Sequence, residues 1–354
     1  MISSKLSRAY RFSARMPKLI AAGLVLVLSG CTVNPIYHTT GVVLSSYSES
    51  EATPYVMQMT DTKMACALGE GIDPLLYSFS RVVDAPDTTG SLLMLLAGNC
   101  MEYRAWDAEL DYLRHDYSGN VPAAKDAREV SKRLYAQTAT RRYEAFRRAM
   151  AAYDFDPAAE PMECPFLFTD QDEITFLAGL LTGMQAIVND ANSGAMAGVP
   201  RNIAPQAERA AQCVDNEKWG GLPNAVRALV WLLLPDTRPA LSPDPWVVLE
   251  NSADLGVKAG FRTSHALQIV AAETFGRPDV LADAIADFAA AEEGFEVLED
   301  YVLLDEVART VVTFSSDKHW TKNYGHRTPT RFFGKMSPER DTSNIETMSL
   351  DGLL

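Results

Sequence analysis

The chain has 354 residues, with 32 Lys and Arg against 46 Asp and Glu for a formal net charge of −14, and 47% of it is hydrophobic. So acidic a body excludes nucleic acid as a natural partner. Its length and apolar share suffice for one large domain or two small ones around a sizeable core.

The first eighteen residues carry Lys5, Arg8, Arg11, Arg15 and Lys18 and no acid, and an apolar run from Leu19 to Leu28 follows. This is the form of a secretory signal peptide spanning residues 1–30. The run is well short of the roughly 20 residues needed to cross a bilayer as a helix. It ends in Leu28-Ser29-Gly30-Cys31, which resembles the bacterial lipobox. That resemblance implies cleavage before Cys31, attachment of diacylglycerol and palmitate there, and a membrane anchor facing the periplasm. Two or three acyl chains, at about 0.8 kcal/mol per buried CH₂, would hold the protein stably. Thr32 in place of Asp favours the outer membrane, by resemblance to lipoprotein sorting rules. Loss of residues 1–30 would leave 32 − 5 = 27 basic residues against 46 acidic ones, or −19.

Beyond Cys31 the cysteines are Cys66, Cys100, Cys164 and Cys213, an even number suited to an oxidising compartment. Four cysteines allow three pairings. Cys66 with Cys100 and Cys164 with Cys213 is favoured, because a helical hairpin could join each pair; four buried free thiols are the alternative. None lies at zinc-ligand spacing, so neither a metal nor a cofactor is expected.

Residues 31–54, rich in Ser and Thr, read as the lipidated N-terminus and a flexible tether. Helical signals begin at Thr60-Asp61, an N-cap pair. Residues 55–313 then show helical periods almost throughout. Tyr103, Trp106, Leu110 and Leu113 form one stripe; Tyr135, Ala139, Tyr143, Phe146 and Met150 a second; Ile174, Leu177, Leu181, Met184 and Val188 a third. Thr169 to Asp172 reads as a capping box before the third. Pro235, Pro239, Pro243 and Pro245 mark a long turn, and Phe288, Phe295, Leu298 and Val302 continue the helical spacing. The paired acids Glu292-Glu293 and Glu299-Asp300 fall on helix faces in this reading. Residues 314–354 read as a C-terminal tail, partly disordered, with Ser337 to Asp351 having the composition of a disordered end.

The expected fold is therefore all-α, with eight to ten helices in antiparallel hairpins, either an irregular tetratricopeptide-like α-solenoid or a bundle. Leu68-Gly69 and Ala178-Gly179 place a small residue and a glycine mid-helix, where such hairpins use them for close approach.

In order and texture the chain resembles the T component of TRAP transporter systems, a tetratricopeptide-like periplasmic lipoprotein. The resemblance rests on the lipobox, on Leu68-Gly69-Glu70 leading to Pro74-Leu75-Leu76, and on Leu95-Leu96-Ala97-Gly98. It continues through the basic helix from Lys132 to Ala149, the Asp170 to Gly183 helix, the Asn192-Ser193-Gly194 break and Trp219-Gly220-Gly221, covering roughly residues 55–310. It implies a helical scaffold that forms a homo-oligomeric ring, contacts a periplasmic solute-binding protein and helps deliver an organic, hydrophobic small molecule. The four extra cysteines and the tail with Trp320, Tyr324, Phe332 and Phe333 depart from that pattern.

No Gly-x-Ser-x-Gly, His-Glu-x-x-His or Gly-x-x-x-x-Gly-Lys sequence occurs, and no enzyme is expected. His115, one helical turn after Asp111, reads as a surface ion pair and His265 as a buried, hydrogen-bonded core histidine. His319-Trp320 and Tyr324-Gly325-His326 suit a tail that packs on the body or meets an anionic partner. Lys125 to Arg148 holds eight basic residues against three acids. Arg133, Arg141, Arg142, Arg147 and Arg148 are the candidate partner-binding residues on it. Three readings of the whole make different demands on the structure. An enzyme requires a cleft where polar groups converge with His115 or His265; a carrier requires an apolar tunnel or groove lined by Leu, Met and Phe; a structural envelope lipoprotein requires neither.

Overall fold

The computed structural model describes residues 34–338, so residues 1–30, Cys31 and the end of the tail lie outside the described residues. The fold is all-α, with no strand among the described residues. Asn34 accepts a hydrogen bond from the Ile36 amide and Pro35 occupies the first helical position, so α1 (Pro35–Tyr47) starts where a flexible tether was expected. It runs through a π turn (Ser48–Ala52) into α2 (Thr53–Met57). Asp61 caps α3 (Thr62–Ser78) through the amides of Lys63 and Met64.

The centre of the molecule is a layer of three long helices, α4 (Asp87–Tyr117), α5 (Val121–Ala152) and α6 (Asp170–Ser193), with α5 between the other two. Thr169 and Asp172 form the capping box of α6, and Gly194 ends it in the left-handed conformation at φ 84°. Glycines set the closest approaches. A Cβ on Gly69 would sit 2.5 Å from the Leu93 carbonyl oxygen of α4, and one on Gly179 would overlap the Ala149 side chain of α5.

Shorter helices complete the body: α7 (Ile203–Ala210), α8 (Leu222–Leu233), α9 (Pro245–Ala259), α10 (Thr263–Thr274), α11 (Pro278–Ala290) and α12 (Val302–Tyr324). The prolines from Pro235 to Pro243 lie in the connection before α9, and Pro245 is its first residue. The Phe288 to Val302 spacing is not one helix. The α11 helix ends at Ala290 and Gly294 turns the chain at φ 85°, so Phe295, Leu298 and the acids Glu292, Glu293, Glu299 and Asp300 occupy the connection and its 3₁₀ turn.

The domain boundary expected at Thr313 also falls inside a helix, because α12 continues to Tyr324 and stops only at Gly325, φ 78°. The chain then folds back. Trp320, 1% exposed, donates from Nε1 to the Lys335 carbonyl at 2.8 Å and stacks on Phe332, while a ring nitrogen of His319 lies 2.9 Å from the Met336 carbonyl. The aromatic and histidine cluster is thus the seam that fastens residues 326–338 to the body.

Cys66 is bonded to Cys100, stapling α3 to α4, and Cys164 to Cys213, tying the segment before α6 to the turn after α7. The main core runs from Phe146 and Met150 of α5 through Phe176, Leu177 and Leu180 of α6 to Leu222, Val226, Trp231, Leu249 and Phe261. A smaller core joins α10, α11 and α12 through Ile269, Ile285, Phe288 and Val312, and a third joins α2, α3, α4 and α12 around Met57, Ala65, Leu96 and Leu303.

Candidate functional site

Between these cores lies a cavity of about 510 Å³, within the roughly 300–1,000 Å³ range of small-molecule sites. Its walls follow from helical spacing. On α6 the lining residues Gln171, Ile174, Ala178, Leu181, Gln185 and Val188 recur every three or four positions, as do Leu92, Leu96, Asn99 and Trp106 with their neighbours on α4. Leu303, Leu304, Val307 and Val311 of α12 and Leu267 and Val270 of α10 close the opposite side. Leu44 and Tyr47 of α1, Ser48 and Ala52 of the π turn, and Val56 and Met57 of α2 cover a third. No α5 residue lines the space, because α5 lies behind α4 and α6. Along α6 the lining spans the 19 residues from Gln171 to Asn189, or about 27 Å at the rise of an α-helix.

The walls are aliphatic over most of this length, and the polar groups gather at one level. Asn99 and Glu102 of α4 face Gln185 and Asn189 of α6, all four on the lining. Behind them stands Arg142 of α5, 1% exposed. Its guanidinium donates to Asn99 Oδ1 at 2.9 Å, to Glu102 Oε2 and to Gln185 Oε1. Glu102 Oε1 takes a further hydrogen bond from Asn189 Nδ2 at 3.1 Å. The ion pair is therefore closed within the protein, as burial of charge requires.

The basic helix does not present the expected docking face. Arg142 and Arg148 are internal: Arg148 pairs with Asp73 of α3, donates to the Gly90 carbonyl at 3.1 Å and lies over the Tyr77 ring at 3.6 Å. Burial raises the Asp73 pKa, opposed by the Arg148 charge beside it. Arg141 is half-buried and donates to Glu70 and to the Ala97 carbonyl, both at 2.6 Å. Only Arg147, paired with Glu144 at 2.8 Å, and Arg133 are exposed. Arg141, Arg142 and Arg148 thus turn to acids of α3 and α4, Glu70, Glu102 and Asp73, rather than to solvent.

Neither candidate histidine reaches the cavity. Asp111 pairs with Arg114 at 2.5 Å, not with His115. His265 is buried with Nε2 2.7 Å from the Ala284 carbonyl and its ring edge-on to Phe288, as a core histidine should be. Burial lowers its pKa below 6.5. A smaller polar pocket, between Lys63, Tyr103, Asp107, Arg309 and Arg327, shares Trp106 with the main cavity. There Trp106 stacks on Phe314 with centroids 4.3 Å apart, and burial pushes the Tyr103 hydroxyl up to about 12.

Set against models of known families, characterised proteins and solved structures, the chain matches none of them.

Sequence reasoning named several of the lining residues, among them Trp106, Ile174, Leu181, Met184 and Val188, but assigned them to buried stripes. It missed Asn99, Gln185 and Asn189 altogether. A signal was available in Asn99-Glu102 and Gln185-Asn189, polar pairs a helical turn apart inside otherwise apolar faces, where a purely structural core would carry Leu or Ala.

Proposed function

We propose that this protein is a carrier, anchored by lipid at Cys31 on the periplasmic face of the outer membrane, that shelters a hydrophobic small molecule in the cavity between α4, α6, α10 and α12. In this reading it exchanges that molecule with the solute-binding protein of a TRAP-type transport system. The observation that carries the proposal is the cavity itself. An apolar space of about 510 Å³ costs stability unless something occupies it, and its aliphatic lining suits an organic chain. The anchor rests on the basic and apolar start of the chain and the small residues before Cys31. The transport partner rests on the resemblance to the T component.

Native mass spectrometry of the full chain extracted from membranes tests the carrier, with Ala178→Phe alongside to fill the space. The expected result is one bound amphiphile on the wild-type protein and none on a folded Ala178→Phe protein. Equal occupancy of both, or of neither, removes the carrier reading. Crosslinking in intact cells tests the partner: a solute-binding protein as the chief product supports the transport role, and recovery of cell-wall machinery alone sinks it.

A further inference from the structure

The polar level of the cavity carries more information than its volume. Asn99 is 3% exposed and Asn189 2%. Asn99 and Gln185 each spend their amide oxygen on Arg142, which leaves each amide nitrogen without a partner among the described residues. Asn189 spends its nitrogen on Glu102 and the Gln185 carbonyl, which leaves its oxygen free. Two donors and one acceptor thus remain unpaired on residues that line the cavity, where water or the polar head of a ligand can complete them. The Arg142–Glu102 pair behind them fixes which end of each amide faces inward. It also sets the charge preference. The two charges cancel, so no net field draws an ion, and a carboxylate head would meet Glu102 on the cavity wall while an ammonium would meet the donor amides.

We propose, building on the carrier reading, that the ligand is an amphiphile with one aliphatic chain and a single uncharged hydrogen-bonding head, of the hydroxyl, ester or amide class, seated against Asn99, Gln185 and Asn189. The chain lies along the Leu and Val stripes of α4, α6 and α12. Each added methylene tightens binding about fourfold until the cavity is full.

The test is competition by dodecanol, dodecanoate, dodecylammonium and 1-chlorododecane for a fluorescent dodecyl probe on the delipidated full chain at neutral pH. Dodecanol should bind at least about tenfold more tightly than either ion. In Gln185→Leu, dodecanol should weaken about fivefold, the loss of one hydrogen bond, while 1-chlorododecane is unchanged or tighter. The comparison within the wild-type protein stands even if that variant fails to fold. Dodecanoate or dodecylammonium binding as tightly as dodecanol, or Gln185→Leu weakening dodecanol and 1-chlorododecane alike, overturns the head-group assignment and leaves the carrier intact. Failure of all four to displace the probe overturns both.

Discussion

The two faces of α6 differ in what they meet. Toward α5 the helix is packed to contact: Gly179 takes the Ala149 methyl, Gly183 takes the Phe146 ring, and Leu177 and Leu180 are fully buried. Toward α10 and α12 the same helix carries residues of the same kinds, Ile174, Leu181 and Val188, which border an open space. The contrast shows that apolar periodicity specifies which face turns inward, while the residues opposite decide whether that interior is filled. Behind α6 there are small residues and a helix in close contact; in front there are two helices held apart.

The contrast can be broken most strongly at the closed face of the layer. Arg148→Met should cost about 3–5 kcal/mol in urea unfolding, because Asp73 is left buried and unpaired. Adding Asp73→Leu should recover most of that loss, and a double variant no more stable than the single would show that the carboxylate was not the source of the cost.

A sharper test sets the faces of α6 side by side. Leu177→Ala should cost about 2–5 kcal/mol, and Leu181→Ala about 1 kcal/mol, because Leu181 already borders a space that its truncation merely enlarges. Equal costs at the two positions would mean that the cavity closes up in solution.

The smallest expected effect comes from His265, in the core beyond the cavity. Its folded pKa lies below 6.5, so as pH falls through 6.5 the unfolded chain takes up the proton first. Stability should therefore decline below about pH 6.5, by at most about 1.4 kcal/mol per pH unit from this one group. His265→Gln should flatten that part of the stability curve; an identical acid limb in the variant would assign the sensitivity to other groups.

The all-α architecture was legible because its signals are local. The capping box at Thr169, the cap at Asp61 and the glycine approaches at Gly69 and Gly179 each depend on residues a few positions apart, or on size alone. The arginines of α5 were visible as charges, but their fate depended on Glu102 and Asp73, 40 and 75 positions away. A one-dimensional charge count reads such a helix as a solvated face. The cavity was hidden for a related reason: Leu181 in a filled core and Leu181 on a cavity wall satisfy the same spacing. The N-terminal segment misled through composition, since its Ser and Thr residues suggested a tether while Asn34 and Pro35 supplied a helix start.

The two disulfides have a consequence for how the chain is made. Their loops, 66–100 and 164–213, follow one another without overlap or nesting. In a chain that emerges from its N-terminus, and with the Cys31 thiol taken up by the proposed anchor, Cys100 is the first free thiol that Cys66 meets, and that pair can close before Cys164 has appeared. The second pair then has no competitor. With Cys31 so occupied, order of emergence selects this pairing from the three available, without a reshuffling enzyme, and it has already joined two walls of the cavity before the helices that close its far side exist.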